Sequence, residues 1–379
     1  MEYLSLGVFA GSRKQNERRL PLHPRHFIDI DQSLRERIYL EHGYGNRFGF
    51  GDADLAPLVG GHRSHEELVA ECDVLLQSKP LVADVAEMRE GQVLWGWPHC
   101  VQDEALTQAA IDRRATIIAW EAMNHWSSGG TFDLHVFHMN NELAGYCSVL
   151  HALQLAGVTG KYGRPLRACV VGFGATGRGA VTALSALGVQ DVSVLTQREV
   201  AAVASPIHSV QMISFEQNPD RPGDTLELDG RNESVEEFLA GHDVIVNCVF
   251  QDTDAPLTLV TNDELPLFST GSLFIDVSCD EGMGFEWARP TSFDDPTFIV
   301  GDGLTYYAVD HSPSFLWDSA TWEISLALMP HLRTVMEGPG SWLTDEVIAR
   351  AIEIRDGEIQ NSKILSFQGR APGFPHARS

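Results

Sequence analysis

Positive charge is scarce in this chain. Its 27 lysines and arginines stand against 52 aspartates and glutamates, a net charge of −25 over 379 residues. A field of that sign repels phosphate backbones and anionic lipid, so nucleic-acid and membrane partners are not expected, while a small basic pocket for an anionic ligand is still compatible with it. Cysteine is sparse and scattered. Cys72, Cys100, Cys147, Cys169, Cys248 and Cys279 form no CxxC pair, which argues against a structural zinc site and a disulfide framework and suits a reducing cytosol. No apolar run approaches the roughly 18 residues of a membrane span. The start, MEYLSLGVFA, turns basic only afterwards, from Arg13 to Arg19, and a secretory leader has the reverse polarity. A cytoplasmic protein is expected. GxSxG and GxxxxGK[ST] are both missing, so serine hydrolysis and P-loop phosphoryl transfer lack their scaffolds.

What is present is a succession of short apolar runs separated by helical patterns. Residues 4–10, 73–77, 92–97 and 115–120 read as strands, and 103–114 as a helix. A long helix is expected from about Asn141 to Gly157, capped by Asn140 or Asn141. A second series follows, with strands at 168–172, 191–196, 243–249 and 272–278, a polar surface stretch at 216–232, and a helix over 319–332. Strands alternating with helices predict parallel α/β sheets. The expected organisation is two Rossmann-like domains, one inserted in the other: a discontinuous substrate domain of residues 1–142 and 308–379, and a nucleotide-binding domain of residues 143–307.

The inserted part opens on Gly172-Phe173-Gly174-Ala175-Thr176-Gly177, a GxGxxG between an apolar run and a helical pattern. Gly172 suits the tight turn, Gly174 admits a pyrophosphate close to the backbone, and Gly177 lets helix and strand pack closely. The N–H groups at Ala175 and Thr176 then favour the anion. At the end of the next strand an NAD-binding chain usually has Asp or Glu for the ribose 2′-hydroxyl. Here the segment is Thr196-Gln197-Arg198. It has no carboxylate to repel a 2′-phosphate, and Arg198 offers charge-assisted donors to one, so NADP(H) is the expected cofactor.

Ligands of open α/β sheets sit beyond the carboxyl ends of the strands. Arg19 (in KQNERRLPLHP), Lys79 (after DVLLQS) and His99 (after WGWP) all fall at such ends. An arginine that grips a carboxylate, a lysine that polarises a carbonyl and a histidine that titrates near neutrality together suit a 2-oxo acid. Each alone also suits an ordinary surface or core residue, and His99 between Trp97 and Cys100 suits a buried histidine. Asp280 lies on a loop expected to face the cofactor. Metal binding there with Glu281 is not expected, because no histidine joins them. His311, in VDHSP, falls where the chain leaves the nucleotide domain.

The pieces KQNERRLPLHP, DVLLQSKP, VLWGWPHC, NNELAG, VVGFGATGRGA, FIDVSCDEGMGFEWARPTSFDDPTF and VDHSPSF, in this order, resemble the alanine dehydrogenase/pyridine nucleotide transhydrogenase family over nearly the whole chain. GWPHCVQ, NNELAGYCSVLHAL and TGKYGR resemble its carboxyethylornithine synthase branch. The resemblance implies that Arg19 and Lys79 hold the substrate carboxylate, that His99 is the catalytic acid/base, and that Asp280 is the acidic residue of the active-site loop. It also implies a homo-oligomer. Asn141 and His311 fall at substrate-side positions where the chain departs from the family, which has Met-Ser in place of Asn140-Asn141 and Asn-Met-Pro in place of His311-Ser312-Pro313. Pro80 replaces the usual Glu after the lysine, and Thr196-Gln197-Arg198 replaces the strand-end Asp. These departures put ammonia in doubt as nitrogen donor. The expected reaction is reductive condensation of a pyruvate-like 2-oxo acid with the side-chain amine of ornithine or lysine. The alternatives are reductive amination with ammonia and a nucleotide-binding module without chemistry.

Overall fold

A computed structural model describes residues 3–197, 210–216, 225–228, 231–249, 251 and 256–378. The chain divides into two compact units, residues 1–138 with 317–379, and residues 139–316. The divisions fall before Met139 and after Leu316, four and nine residues from the expected bounds. The long helix already begins at His138, and the turn of helix over Ser312–Leu316 stays with the second unit.

The first unit is built on β1 (Leu6–Val8), β2 (Ile38–Glu41), β3 (Gly61–Arg63), β4 (Val74–Gln77), β5 (Val93–Gly96), β6 (Thr116–Ala119), and, from the C-terminal part, β16 (Ile352–Arg355) and β17 (Glu358–Ile359). Their order is β17-β16-β6-β5-β4-β1-β2-β3. All pairs from β6 to β3 are parallel, and β16 lies antiparallel on β6. Every residue of β4, β5 and β6 is buried. Strands covered on both faces read as unbroken apolar runs, which is why these three were visible in the sequence. Alternate side chains divide between two cores, with Val74, Leu76, Trp95 and Ile118 on one face and Leu75, Leu94 and Ile117 on the other.

The second unit holds β7 (Arg167–Val171), β8 (Asp191–Thr196), β9 (Val210–Glu216), β10 (Thr225–Leu228), β11 (Arg231–Ser234), β12 (Val244–Asn247), β13 (Leu273–Asp276), β14 (Thr297–Val300) and β15 (Leu304–Tyr307). The sheet order among the described residues is β11-β10-β9-β8-β7-β12-β13-β15-β14, parallel from β9 to β15. The stretch 216–232, expected as plain surface, contains β10 and the first half of β11, paired antiparallel. An edge extension of this kind needs no apolar run, and the only sequence signal was Asp-Gly between two short polar segments.

Helices α1 (Glu104–Asp112) and α4 (Trp317–Leu328) belong to the first unit, and α2 (His138–Leu155) and α3 (Ala175–Ala186) run through the second. α2 and α3 cross at glycines. A Cβ at Gly145 would lie 1.9 Å from the carbonyl oxygen of Thr176, and one at Gly179 would lie 1.7 Å from that of Glu142. Among the described residues no helix is long and apolar enough to cross a membrane.

Candidate active site

The carboxyl ends of β4 and β5 are brought together by a glycine. A Cβ on Gly96 would lie 2.1 Å from the carbonyl oxygen of Gln77, so only a residue without one lets the two strand ends close. Beyond them, Lys79 Nζ lies 2.9 Å from His99 Nε2. A lysine ammonium can only donate, so it assigns Nε2 as acceptor and places the imidazole proton on Nδ1. Nδ1 lies 4.0 Å from Glu121 Oε1, and the same oxygen accepts the backbone N–H of His99 at 2.6 Å. His99 has φ +51°, a left-handed conformation that costs a non-glycine residue about 1 kcal/mol or more and that clusters at functional sites.

Arg19 touches residues that flank this pair. The Ser78 hydroxyl donates to its carbonyl at 3.2 Å, and its guanidinium lies 5.1 Å from the centre of the Trp97 ring. The side chain is almost wholly buried against Glu17, donating from Nε at 2.8 Å and from Nη2 at 2.5 Å. Glu17 thus occupies one edge of the fork and fixes its plane. That edge is already taken, which narrows the bidentate grip on a carboxylate expected from the sequence.

Two functional candidates escaped the sequence reading. Glu121 stands one residue after the apolar ATIIAW, at the same kind of strand end that drew attention to Lys79 and His99. Glu353 lies in β16 beside a bulge against β6, and nothing in IEIR marks it. Asn361 Nδ2 donates to Glu353 Oε1 at 2.9 Å. The Oε2 atoms of Glu121 and Glu353 are both buried and accept no hydrogen bond. Burial, followed by repulsion from Glu353, pushes the Glu121 carboxyl up to about 8. Burial raises Glu353 as well. Between the ordinary carboxylate range and about pH 8, unfolding releases a proton that the folded pair retains, so the contribution of this pair to stability is most favourable in acid and falls as pH rises through that window. Glu353→Gln replaces the repulsion with an amide donor and keeps an acceptor for Asn361. The variant is expected to melt a few degrees above the wild type at pH 8, for a gain of about 1 kcal/mol, with little difference at pH 5. Melting curves at the two pH values check this, and a variant less stable at both would show that the pair carries no repulsion.

In the second unit, Gly172 follows β7 with φ +90°, and a Cβ on Gly177 would lie 2.2 Å from the carbonyl oxygen of Gly172. Gly174 is the N-cap of α3 and makes no side-chain cap, and space is open where its Cβ would stand. Ala175 and Thr176 are half-buried in the first turn, where helical N–H groups lack partners within the helix. A tight turn, open space over a glycine and a helix N-terminus fit the pyrophosphate of a dinucleotide. Thr196 ends β8 and is buried, Gln197 is exposed, and Arg198 lies outside the described residues.

The other expected site residues are also in this unit. Asp280 is half-buried, and burial pushes its carboxyl up to about 6. Its loop is anchored by the buried Asp276, which accepts from Tyr306 Oη at 2.8 Å, from Asn247 Nδ2 at 3.1 Å and from the N–H groups of Ser278 and Cys279. Asn140 and Asn141 do not cap α2 but lie inside its first turn, because the helix starts at His138. His311 is buried, with Nδ1 2.5 Å from Asp310 Oδ1 and its ring edge-on to Phe293.

The family model described as the alanine dehydrogenase/PNT N-terminal domain matches residues 7–141, and that of the C-terminal domain matches residues 149–362. The chain therefore belongs to the alanine dehydrogenase/PNT family of pyridine-nucleotide oxidoreductases. It is 24% identical to alanine dehydrogenase of Mycobacterium tuberculosis, over 94% of this chain and 95% of that protein. It is 24% identical to N(5)-(carboxyethyl)ornithine synthase of Clostridium botulinum, over 84% and 90%. A solved L-alanine dehydrogenase superposes with a TM-score of 0.74 at 20% identity, covering 96% of this chain and 99% of that one. A transhydrogenase from Sinorhizobium meliloti superposes at 0.70 and 19%, covering 94% and 98%. These two likenesses establish the fold.

Proposed function

We propose that the protein is an NADP(H)-dependent oxidoreductase that condenses a small 2-oxo acid with the side-chain amine of ornithine or lysine and reduces the product to an N-(carboxyalkyl) amino acid. The observation that carries this reading is the 2.9 Å contact between Lys79 Nζ and His99 Nε2 at adjoining strand ends, with Arg19 against Trp97 two residues before His99. Arg19 holds the oxo-acid carboxylate, and Lys79 polarises the ketone. The amine adds to the carbonyl carbon and gives up a proton to His99 as the ketone oxygen becomes the hydroxyl of a carbinolamine. His99 returns a proton to the carbinolamine hydroxyl, water leaves, and an imine forms. When bound, the reduced nicotinamide supplies the hydride that reduces the imine carbon. Glu121 fixes the backbone of His99 and faces its Nδ1. A nucleotide-binding module without chemistry has no need of a paired lysine and histidine.

An NADPH-consumption assay of pyruvate with L-ornithine, L-lysine or ammonia, with mass detection of the product, tests the reading. Condensation products are expected with the amino acids. Turnover with ammonia alone would make the protein an alanine dehydrogenase. The absence of a strand-end carboxylate at Thr196-Gln197-Arg198 supports NADP(H). Arg198→Asp is expected to shift the NADPH/NADH ratio of kcat/KM toward NADH by about ten- to a hundredfold. An unchanged ratio would remove Arg198 from cofactor choice.

A further inference from the structure

The first sheet has a second feature at its carboxyl edge. Its strand order changes direction at β1: the chain proceeds to β2 and β3 on one side, then resumes with β4 on the other. Such a switch point opens a crevice where open α/β sheets hold ligands. A cavity of about 370 Å³ lies there, within the range of small-molecule sites. Ser12 and Arg13 follow β1, Glu41 ends β2, Gln77 ends β4, and His65 and Asp84 come from the helices after β3 and β4.

The lining forms a ring of charge. Arg13 Nη1 lies 3.1 Å from Asp84 Oδ1, and Nη2 lies 2.6 Å from Glu87 behind it. His65 Nε2 lies 3.1 Å from Glu87, and its Nδ1 lies 3.8 Å from Glu41 Oε1. Glu41 Oε2 accepts the N–H of Ala10 at 2.7 Å. Asp84 is 7% exposed, and its buried Oδ1 makes no aligned hydrogen bond despite the nearby guanidinium. Three carboxylates thus stand around Arg13 and His65. That balance repels a second oxo acid or a phosphate and favours a ligand with more positive than negative charge, and a carboxylate reaches Arg13 only by exchange for Asp84.

The cavity adjoins the reacting cluster, since the Ser12 hydroxyl donates to the carbonyl of Lys79 at 2.6 Å. Neighbouring strands are about 5 Å apart. An extended ornithine or lysine spans roughly 6–8 Å from side-chain nitrogen to carboxylate, so it can reach from this cavity to the end of β4.

We propose that this cavity seats the amino-acid end of a basic amino-acid donor, with the α-carboxylate taking the place of Asp84 on Arg13 and the α-ammonium meeting Glu41 and the released Asp84, so that the side-chain amine points toward Lys79. The assignment rests on the condensation reading above and names the donor's own subsite.

Calorimetric titration of the purified enzyme with L-ornithine and L-lysine, in the wild type, Arg13→Gln and Glu41→Gln, separates the two ideas. Glu41→Gln keeps an acceptor for Ala10, which guards against a folding defect. Wild-type binding, weakened about tenfold or more in both variants with the KM for pyruvate unchanged within about twofold, is the expected result. No binding of either amino acid, or equal binding in all three proteins, overturns the subsite. Binding lost in the variants, combined with turnover that uses ammonia alone, overturns the condensation reading and keeps the subsite. Turnover with L-ornithine at an unaltered KM in Arg13→Gln does the reverse.

Discussion

His99→Ala is expected to lower kcat by roughly 10²–10⁴-fold and to leave the affinity for NADPH unchanged, because the imidazole is the group proposed to move the proton that lets water leave. The substitution is a clean probe. Alanine and histidine both pay for the left-handed backbone at φ +51°, so the strain hardly changes and the loss reports the ring. His99→Gly removes that strain and the ring together, and is expected to melt slightly higher while remaining as inactive. Steady-state turnover beside a fluorescence titration with NADPH reads the two quantities apart. Turnover within twofold of wild type would assign proton transfer to Lys79 alone.

The second large effect concerns stability. Gly179→Ala is expected to destabilise the protein by about 3 kcal/mol or more, because its methyl group would meet the main-chain oxygen of Glu142, and neither helix can yield without losing its packing. The melting temperature should fall by about 5–10 °C. Gly174→Ala makes the contrast. Nothing lies within 4 Å of the added methyl, and φ at this position is −81°, which alanine adopts readily. The melting temperature should stay within about 1 °C, and nucleotide binding should weaken several-fold if the methyl stands where the pyrophosphate is proposed to approach. Similar melting shifts in both variants would mean that the α2–α3 contact yields to an added methyl group. Unchanged nucleotide affinity in Gly174→Ala would move the pyrophosphate away from this turn.

The parts that were legible in the sequence share one property, which is burial on both sides. β4, β5, β6, β7, β12 and β13 are continuous apolar runs and were all placed within a residue or two. The glycine turn was legible because steric exclusion leaves few substitutes there. β2, β3, β16 and β17 were not read, being short, partly polar or at the sheet's margin. For the same reason Glu353 was invisible. Lys79 and His99 could be named from their strand ends, but their mutual contact depends on the close approach at Gly96, which a residue string records without saying what it is for. The pairing of Arg19 with Glu17, two residues apart on an irregular loop, has no periodic signature at all.

The insertion has a consequence for biosynthesis. Ile118 of β6 pairs with Ile352 of β16, yet all of residues 139–316 lie between them in the chain. A contiguous inserted unit can form as soon as it leaves the ribosome, whereas the outer unit waits for the last strands to be made. Until then the rim of β6 is an open template for another chain. Premature termination before residue 352 would therefore leave a protein whose nucleotide turn is folded and whose other half is prone to aggregate.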